Sequence, residues 1–321
     1  MEQQLDLDFG RLDRERERLE KQRARLVRAT RAENTQRAHT SDWKLFSGWC
    51  ADSCRKALPA TEETVALYAT WLIDRGLRIS SVRRYVNSIA YLHRMDGRDA
   101  PVGQARKVLE GAQRLRRERP AGKAALRVTE LRRICRATDP GCPRQVRDRA
   151  LLVFGFASAL RRSNLVALDL ADVSFLRVGV LVFVQYEKQD QQGRGRFIGL
   201  PQGKHPETCP VRTLRAWLRV RGNAPGPLFN PVLRGGHVAL RRMGAVAVCH
   251  AVKTAVKRIG LHPGPYSAHS LRAGLVSEAG ERGATEMTIA RHTGHRSMAA
   301  LRCYFRGRDP FRGNPCKVVG L

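Results

Sequence analysis

Between positions 31 and 120 the apolar residues recur at intervals of three and four, the mark of helices that each bury one face. Trp43, Leu45, Phe46 and Trp49 form a first stripe, with Asn34 or Thr35 placed to cap its helix and Pro59 in the loop that follows. Val65, Leu67, Tyr68, Trp71, Leu72 and Ile73 form a second stripe, Ser80 opens a third through Val82, Val86, Ile89 and Leu92, and residues 102–115 make a fourth. Four such helices close into a small bundle. Ahead of them, residues 1–30 are nearly all helix formers of mixed charge. Leu5, Leu12, Leu19 and Leu26 repeat every seven, but Arg16 and Arg23 stand at the companion positions, which leaves a solvated helix or a disordered arm rather than a coiled coil.

Past Pro120 and Gly122 the pattern changes. Thr129 is placed to cap a helix, and RALLVFGFASAL, from Arg149, is apolar on nearly every side, as a buried helix is. Residues 180–184 and 196–200 are β-rich runs joined by the polar segment EKQDQQGRG, a hairpin pattern. Residues 210–220 and 245–259 read as helices, Gly294 as a helix stop, and Ser297 as the cap of a last helix over 298–306. The expectation is a mostly α chain with a small β-sheet: an arm (1–30), a helical domain (31–120) and a larger α+β domain (121–321).

Charge narrows the partners. Lysine and arginine number 59 against 29 acidic residues, a formal net charge of +30, which points to a polyanion, nucleic acid first and an anionic membrane surface second. No apolar run approaches the ~20 residues a spanning helix needs and no signal-peptide pattern is present, so a cytoplasmic, DNA-associated protein is expected. The eight cysteines are scattered without a zinc spacing and read as free thiols. GLPQGK is too short between its glycines for a P-loop, and no nucleotide site is assigned.

The stretch 266–306 carries the chemistry. His269 and Arg272 are three apart and share one face of a helix. His295 follows Gly294 in a turn, and Tyr304 lies nine residues further on. Singly, an HxxR pair is a solvated helix face and a tyrosine on a short helix is a packing residue with a wet hydroxyl. Together, two imidazoles, a guanidinium and a phenol suit a site that holds a phosphate through arginine and attacks it through tyrosine.

HSLRAG, then TGHRS, then a tyrosine nine residues beyond that histidine resembles the active site of the tyrosine recombinases, the phage-integrase family. ALRRSNL resembles the family's GLRxSEL motif, with its arginine on Arg161 and with Asn164 where the motif carries an acid; Lys188, in the hairpin loop between β-rich runs, matches the catalytic lysine. The resemblance implies that residues 31–120 are a core-binding (SAM-like) bundle that clamps one side of a duplex. It implies that Tyr304 cuts DNA through a 3′-phosphotyrosine, without metal or other cofactor. Arg161 and Arg272 would stabilise the transition state, His269 would act as base, Lys188 as acid, and His295 would hold a phosphate oxygen and orient the tyrosine. Duplex contacts are expected from Arg83 and Arg84 and from Arg114, Arg116, Arg117 and Lys123 around the linker. The partners implied are double-stranded DNA at a recombination site, further copies of the chain in a homotetramer joined through the C-terminal tail, and an accessory DNA-bending protein. Two rival readings use the same scaffold: a catalytically weak accessory binder, and a type IB-like DNA-relaxing enzyme.

Overall fold

The computed structural model describes residues 15–23, 25–26, 33–118, 122–185 and 195–305. The chain divides between Pro120 and Ala121 into two compact units.

Among the described residues of the first unit, four helices follow the helical residues 15–23: α1 (Glu33–Asp52), α2 (Glu62–Asp74), α3 (Ile79–Met95) and α4 (Gly103–Arg116). Most of the expected stripes form the unit's core, Phe46, Tyr68, Val82, Ile89 and Leu109 being buried in one cluster, whereas Leu45 and Leu67, counted in the first two stripes, are exposed. Buried Asp42 on α1 accepts from Ser88 Oγ of α3 at 2.7 Å and is paired with Arg84, so a polar clasp sets the α1–α3 register inside an apolar bundle. His93 is fixed in the same way, its Nε2 accepting from the Ala60 amide at 3.0 Å and its Nδ1 donating to Ile89 O at 2.9 Å. Helix starts differ from expectation by a residue or more. Asn34 and Thr35 lie inside α1 rather than capping it, and α3 begins at Ile79, one residue before Ser80. Residues 15–23 are helical and exposed, with Lys21 Nζ on Glu17 at 2.5 Å, a pair one turn apart.

In the second unit α5 (Val128–Arg136), α6 (Pro143–Ser158), α7 (Arg162–Ala167), α8 (Pro210–Arg221), α9 (Ala245–Arg258), α10 (His269–Glu281), α11 (Glu286–Thr293) and α12 (Met298–Arg302) accompany a three-stranded antiparallel sheet. Thr129, expected as a cap, is within α5, whose N-cap is Arg127. The all-round apolar helix is α6: Ala150, Leu151, Leu152 and Phe154 are each fully buried. Strands β2 (Gly179–Val184) and β3 (Arg196–Pro201) pair as the expected hairpin, Phe183 opposite Phe197. A third strand, β1 (Val173–Leu176), pairs β2 on its other edge and was not foreseen, because four residues before a tight turn give too short an alternation. The last helix is also shorter than expected. It ends at Arg302 and tightens into a 3₁₀ turn over Cys303–Phe305.

Residues 124–128 run along α10. The amides of Ala124, Leu126 and Val128 donate to Pro265 O, Ser270 O and Glu278 Oε1 at 3.0, 3.0 and 3.1 Å. Gly274 makes this approach possible, since a Cβ there would overlap the Leu126 carbonyl and come within 2.6 Å of Phe156 Cε2. Among the described residues the seven cysteines, Cys50, Cys54 and Cys303 among them, are free thiols. Among the described residues no helix is long and apolar enough to cross a membrane.

Candidate active site

The site is built where α6 ends and α10 begins. Ala159, fully buried, closes α6 in the left-handed conformation (φ 49°), a backbone state unfavourable for any residue but glycine. The turn it forms does two things. It frees Ala159 O, which accepts from Arg272 Nη1 at 2.7 Å, and it sets Arg161 at the N-cap of α7 rather than on the end of α6. Arg161 Nη1 is buried and has no hydrogen-bond partner among the described residues, and the residue lines a cleft of about 360 Å³ together with Arg162, Ser267, His269 and Arg272. A buried guanidinium nitrogen without an acceptor, in a pocket shared with a second arginine, is a built anion site. Asn164, at the position of the motif's acid, is buried at 7% exposure and accepts from Ser163 Oγ at 3.2 Å.

Arg272 is only 2% exposed. Its Nη2 lies against the His295 imidazole, 3.0 Å from Nε2 and 3.3 Å from Nδ1. His295 follows Gly294, which ends α11 with φ 72°. Burial, then the Arg272 and Arg161 guanidiniums, push the His295 imidazole down from 6.5 to about 4, so it is neutral at physiological pH. His269, the first residue of α10, reaches solvent at the cleft mouth. Its ring is enclosed enough that desolvation, ahead of Arg272 and Arg161, holds it below the usual imidazole range.

Tyr304 completes the set. Ser297 caps α12 by accepting from the Ala300 amide, and the short helix packs with Val276, Ile289, Ala290 and Leu301 in a separate small core against which the Tyr304 ring rests. Ser277 Oγ donates to Tyr304 O at 3.3 Å, and Arg302 pairs with Glu286 at 3.1 Å. The phenol oxygen is thereby set 3.0 Å from His269 Nε2, with the two rings 5.4 Å apart. The His295 ring stands edge-on to Tyr304 at 5.5 Å.

Arg161, His269, Arg272, His295 and Tyr304 therefore converge. Lys188 lies outside the described residues. The arginines expected on DNA separate into two kinds. All five are exposed, but Arg84 is paired with buried Asp42, and Arg116 donates to Leu77 O at 3.1 Å and to Ile73 O, closing the end of α2. Lys123 Nζ donates to Gly264 O at 3.0 Å, next to the loop that enters α10.

Three residues without a place in the sequence argument support the site. His292 Nε2 donates to Ala157 O at 2.8 Å and Arg196 Nη1 donates to His292 O at 2.9 Å, so the first residue of β3 is tied through α11 to the end of α6. Thr293, fully buried, bonds the His295 ring at 2.6 Å. His292 and Thr293 stand directly before Gly294 and His295 in the run HTGH, whereas nothing in the sequence pointed to Arg196.

A neutral imidazole on a phenol, above a pocket with two arginines, is a centre for nucleophilic attack on a phosphate ester. Comparison with known proteins agrees. Residues 124–309 match the phage integrase family. An integrase/recombinase xerD homolog of Selenomonas ruminantium is 31% identical over 303 residues, covering 93% of this chain and 89% of that protein. The tyrosine recombinase XerD of Pseudomonas aeruginosa is 23% identical over 276 residues, 85% of this chain and 86% of its own. Among solved structures, the Tn1549 transposon integrase in complex with circular intermediate DNA superposes with a TM-score of 0.63 at 15% identity, covering 92% of this chain and 96% of that one. A lambda integrase dimer bound to a COC′ core site gives 0.59 at 15% identity, over 91% and 95%. The chain belongs to the phage integrase family, the site-specific tyrosine recombinases.

Proposed function

We propose that Tyr304 is the nucleophile with which this recombinase cuts and rejoins duplex DNA. The observation that carries the reading is the phenol 3.0 Å from His269 Nε2 in the chain that also supplies the two arginines. Tyr304 Oη attacks the scissile phosphorus; the Oη–P bond forms as the P–O5′ bond breaks, and the phenol proton passes to the neutral His269 Nε2. Lys188 is assigned the proton for the departing 5′ oxygen. Arg161 and Arg272 bear the charge of the pentacoordinate state, for which a planar, always-charged fork is suited. Attack by the 5′-hydroxyl of another strand reverses the step, so the phosphodiester is conserved.

Duplex DNA is the substrate this reading requires. The +30 charge and the exposed Arg83, Arg114 and Arg117 support it, as do the relatives whose structures hold DNA. The helical unit is assigned the role of a core-binding clamp, and strand exchange is assigned to four copies of the chain, aided by a DNA-bending partner where the site requires bending. The test is to express the chain and its Tyr304→Phe variant and to sequence DNA left covalently attached after denaturation. Adducts at one recurrent site, absent from the variant, are expected; adducts of equal yield from the variant would remove Tyr304 as nucleophile.

A further inference from the structure

The His295 imidazole has a buried polar neighbour that the strand-cleavage scheme does not use. Thr293 Oγ1 is 2.7 Å from Ile289 O, 3.4 Å from Ala290 O and 2.6 Å from His295 Nδ1. The residue is fully buried at the last position of α11, where no water competes for these partners.

A hydroxyl has one proton to give, and a carbonyl oxygen can only accept. The contact with Ile289 O is a threonine bond to the carbonyl one turn back, a geometry a helix end favours. It consumes the Thr293 proton. The oxygen then meets Nδ1 with a lone pair, and at 2.6 Å Nδ1 must carry the hydrogen. The imidazole is neutral and carries one proton only, which leaves Nε2 bare. Arg272 Nη2, a pure donor, lies 3.0 Å from Nε2 and 3.3 Å from Nδ1, nearer the nitrogen this arrangement leaves bare. The groups facing the ring are Arg272 and His269 from α10, Arg161 from the turn after α6, and Tyr304 after α12. Among the described residues facing the ring, none is an anion that would draw a second proton onto it.

We propose that Thr293 is a positioning residue that fixes His295 as the Nδ1–H tautomer and keeps its Nε2 unprotonated in the DNA-free enzyme. This rests on the reading of His295 as part of the phosphate site and adds a condition to it. From Nε2 the ring cannot donate to a phosphate oxygen until it gains a second proton, so the histidine is silent as a donor while the site is empty. A Thr293 hydroxyl turned instead toward Nδ1 would make Nε2–H the resting form, abandon Ile289 O, and leave a donor facing a guanidinium.

The test needs neither DNA nor turnover. The full chain is labelled with ¹⁵N-histidine, and His295 is assigned by the signals missing from His295→Asn. At neutral pH the wild type is expected to show a pyrrole-like Nδ1 and a pyridine-like Nε2. Thr293→Ser, which keeps the hydroxyl, is expected to match it; Thr293→Val, which keeps the shape without the oxygen, is expected to shift toward Nε2–H. A pyridine-like Nδ1 or a doubly protonated ring in the wild type overturns the proposal, as does a Thr293→Val spectrum identical to wild type. Should Thr293→Val not fold, the wild-type and Thr293→Ser spectra still decide. An inactive protein with the expected tautomer would count against Tyr304 chemistry alone, and an active one with the other tautomer against Thr293 alone.

Discussion

Gly274, two residues past Arg272, gives the most quantitative test of how the second unit is assembled. Its hydrogen faces the Leu126 carbonyl and the Phe156 ring, and a methyl there would sit 2.6 Å from Phe156 Cε2 and closer still to Leu126 O. The backbone oxygen cannot swing aside as a side chain could, so residues 124–128 must lift from α10 or α10 must shift. Overpacking of this kind costs about 1–3 kcal/mol, and losing the Leu126 N–H to Ser270 O bond adds about 1 kcal/mol. Alanine's helix propensity returns about 1 kcal/mol. Gly274→Ala should therefore destabilise the second unit by about 1–3 kcal/mol, lowering its Tm by roughly 2–4 °C per kcal/mol for a unit of this size. Gly111 is the control: it lies inside α4, and a Cβ there meets nothing within 4 Å. Gly111→Ala should raise the stability of the first unit by up to about 1 kcal/mol. Calorimetry of both variants in the full chain reads the two effects side by side. A Gly274→Ala transition at or above the wild-type temperature would refute the argument that glycine is required by this close approach.

Other expectations follow from individual contacts. Arg84→Met leaves the carboxylate of Asp42, 2% exposed, with Ser88 Oγ as its remaining side-chain partner; because Arg84 is itself half exposed, the cost in urea unfolding should be about 1–3 kcal/mol. Arg83→Ala should leave unfolding unchanged and reduce the slope of log affinity for DNA against log salt by about one. His269, His292 and His295 all bind protons less readily than free histidine. The unfolded chain therefore takes up more protons below its ordinary histidine pKa, and stability, full above about pH 6.5, should fall as pH drops toward 4; a flat urea midpoint between pH 7.5 and 5 would contradict this. Lys188→Ala should lose cleavage of ordinary DNA and regain it on a substrate with a 5′-bridging phosphorothioate, whose leaving group needs no acid; absence of rescue would assign the acid elsewhere.

The sequence-level reading succeeded where one residue type permits one geometry. Gly294 and Ser297 marked a helix end and a cap, and the break between them is what turns His295 toward Tyr304. The apolar run of α6 and most of the four stripes of the first unit announced their burial through periodicity, Leu45 and Leu67 being the exposed exceptions. Contacts set by distant backbone were invisible. Ala159 carries no sign that it will adopt a positive φ, yet its carbonyl holds Arg272. Arg84 and Arg116 looked like the other surface arginines of a basic helix, and only the fold shows one on Asp42 and the other capping α2. Thr293 could not be singled out without knowing that its hydroxyl faces both Ile289 O and an imidazole. Strand β1 and the first residues of α1, α3 and α5 were missed or misplaced because short alternations and local caps are overridden by tertiary pairing.

The central claim is that this chain's own Tyr304 becomes joined to DNA. Its most direct test is to trap the protein–DNA adduct, digest both components, and locate the residual nucleotide by mass spectrometry. The account predicts a nucleotide linked through a 3′ phosphate to Tyr304 and no adduct in Tyr304→Phe. A nucleotide on any other residue, or an adduct surviving in Tyr304→Phe, would contradict it.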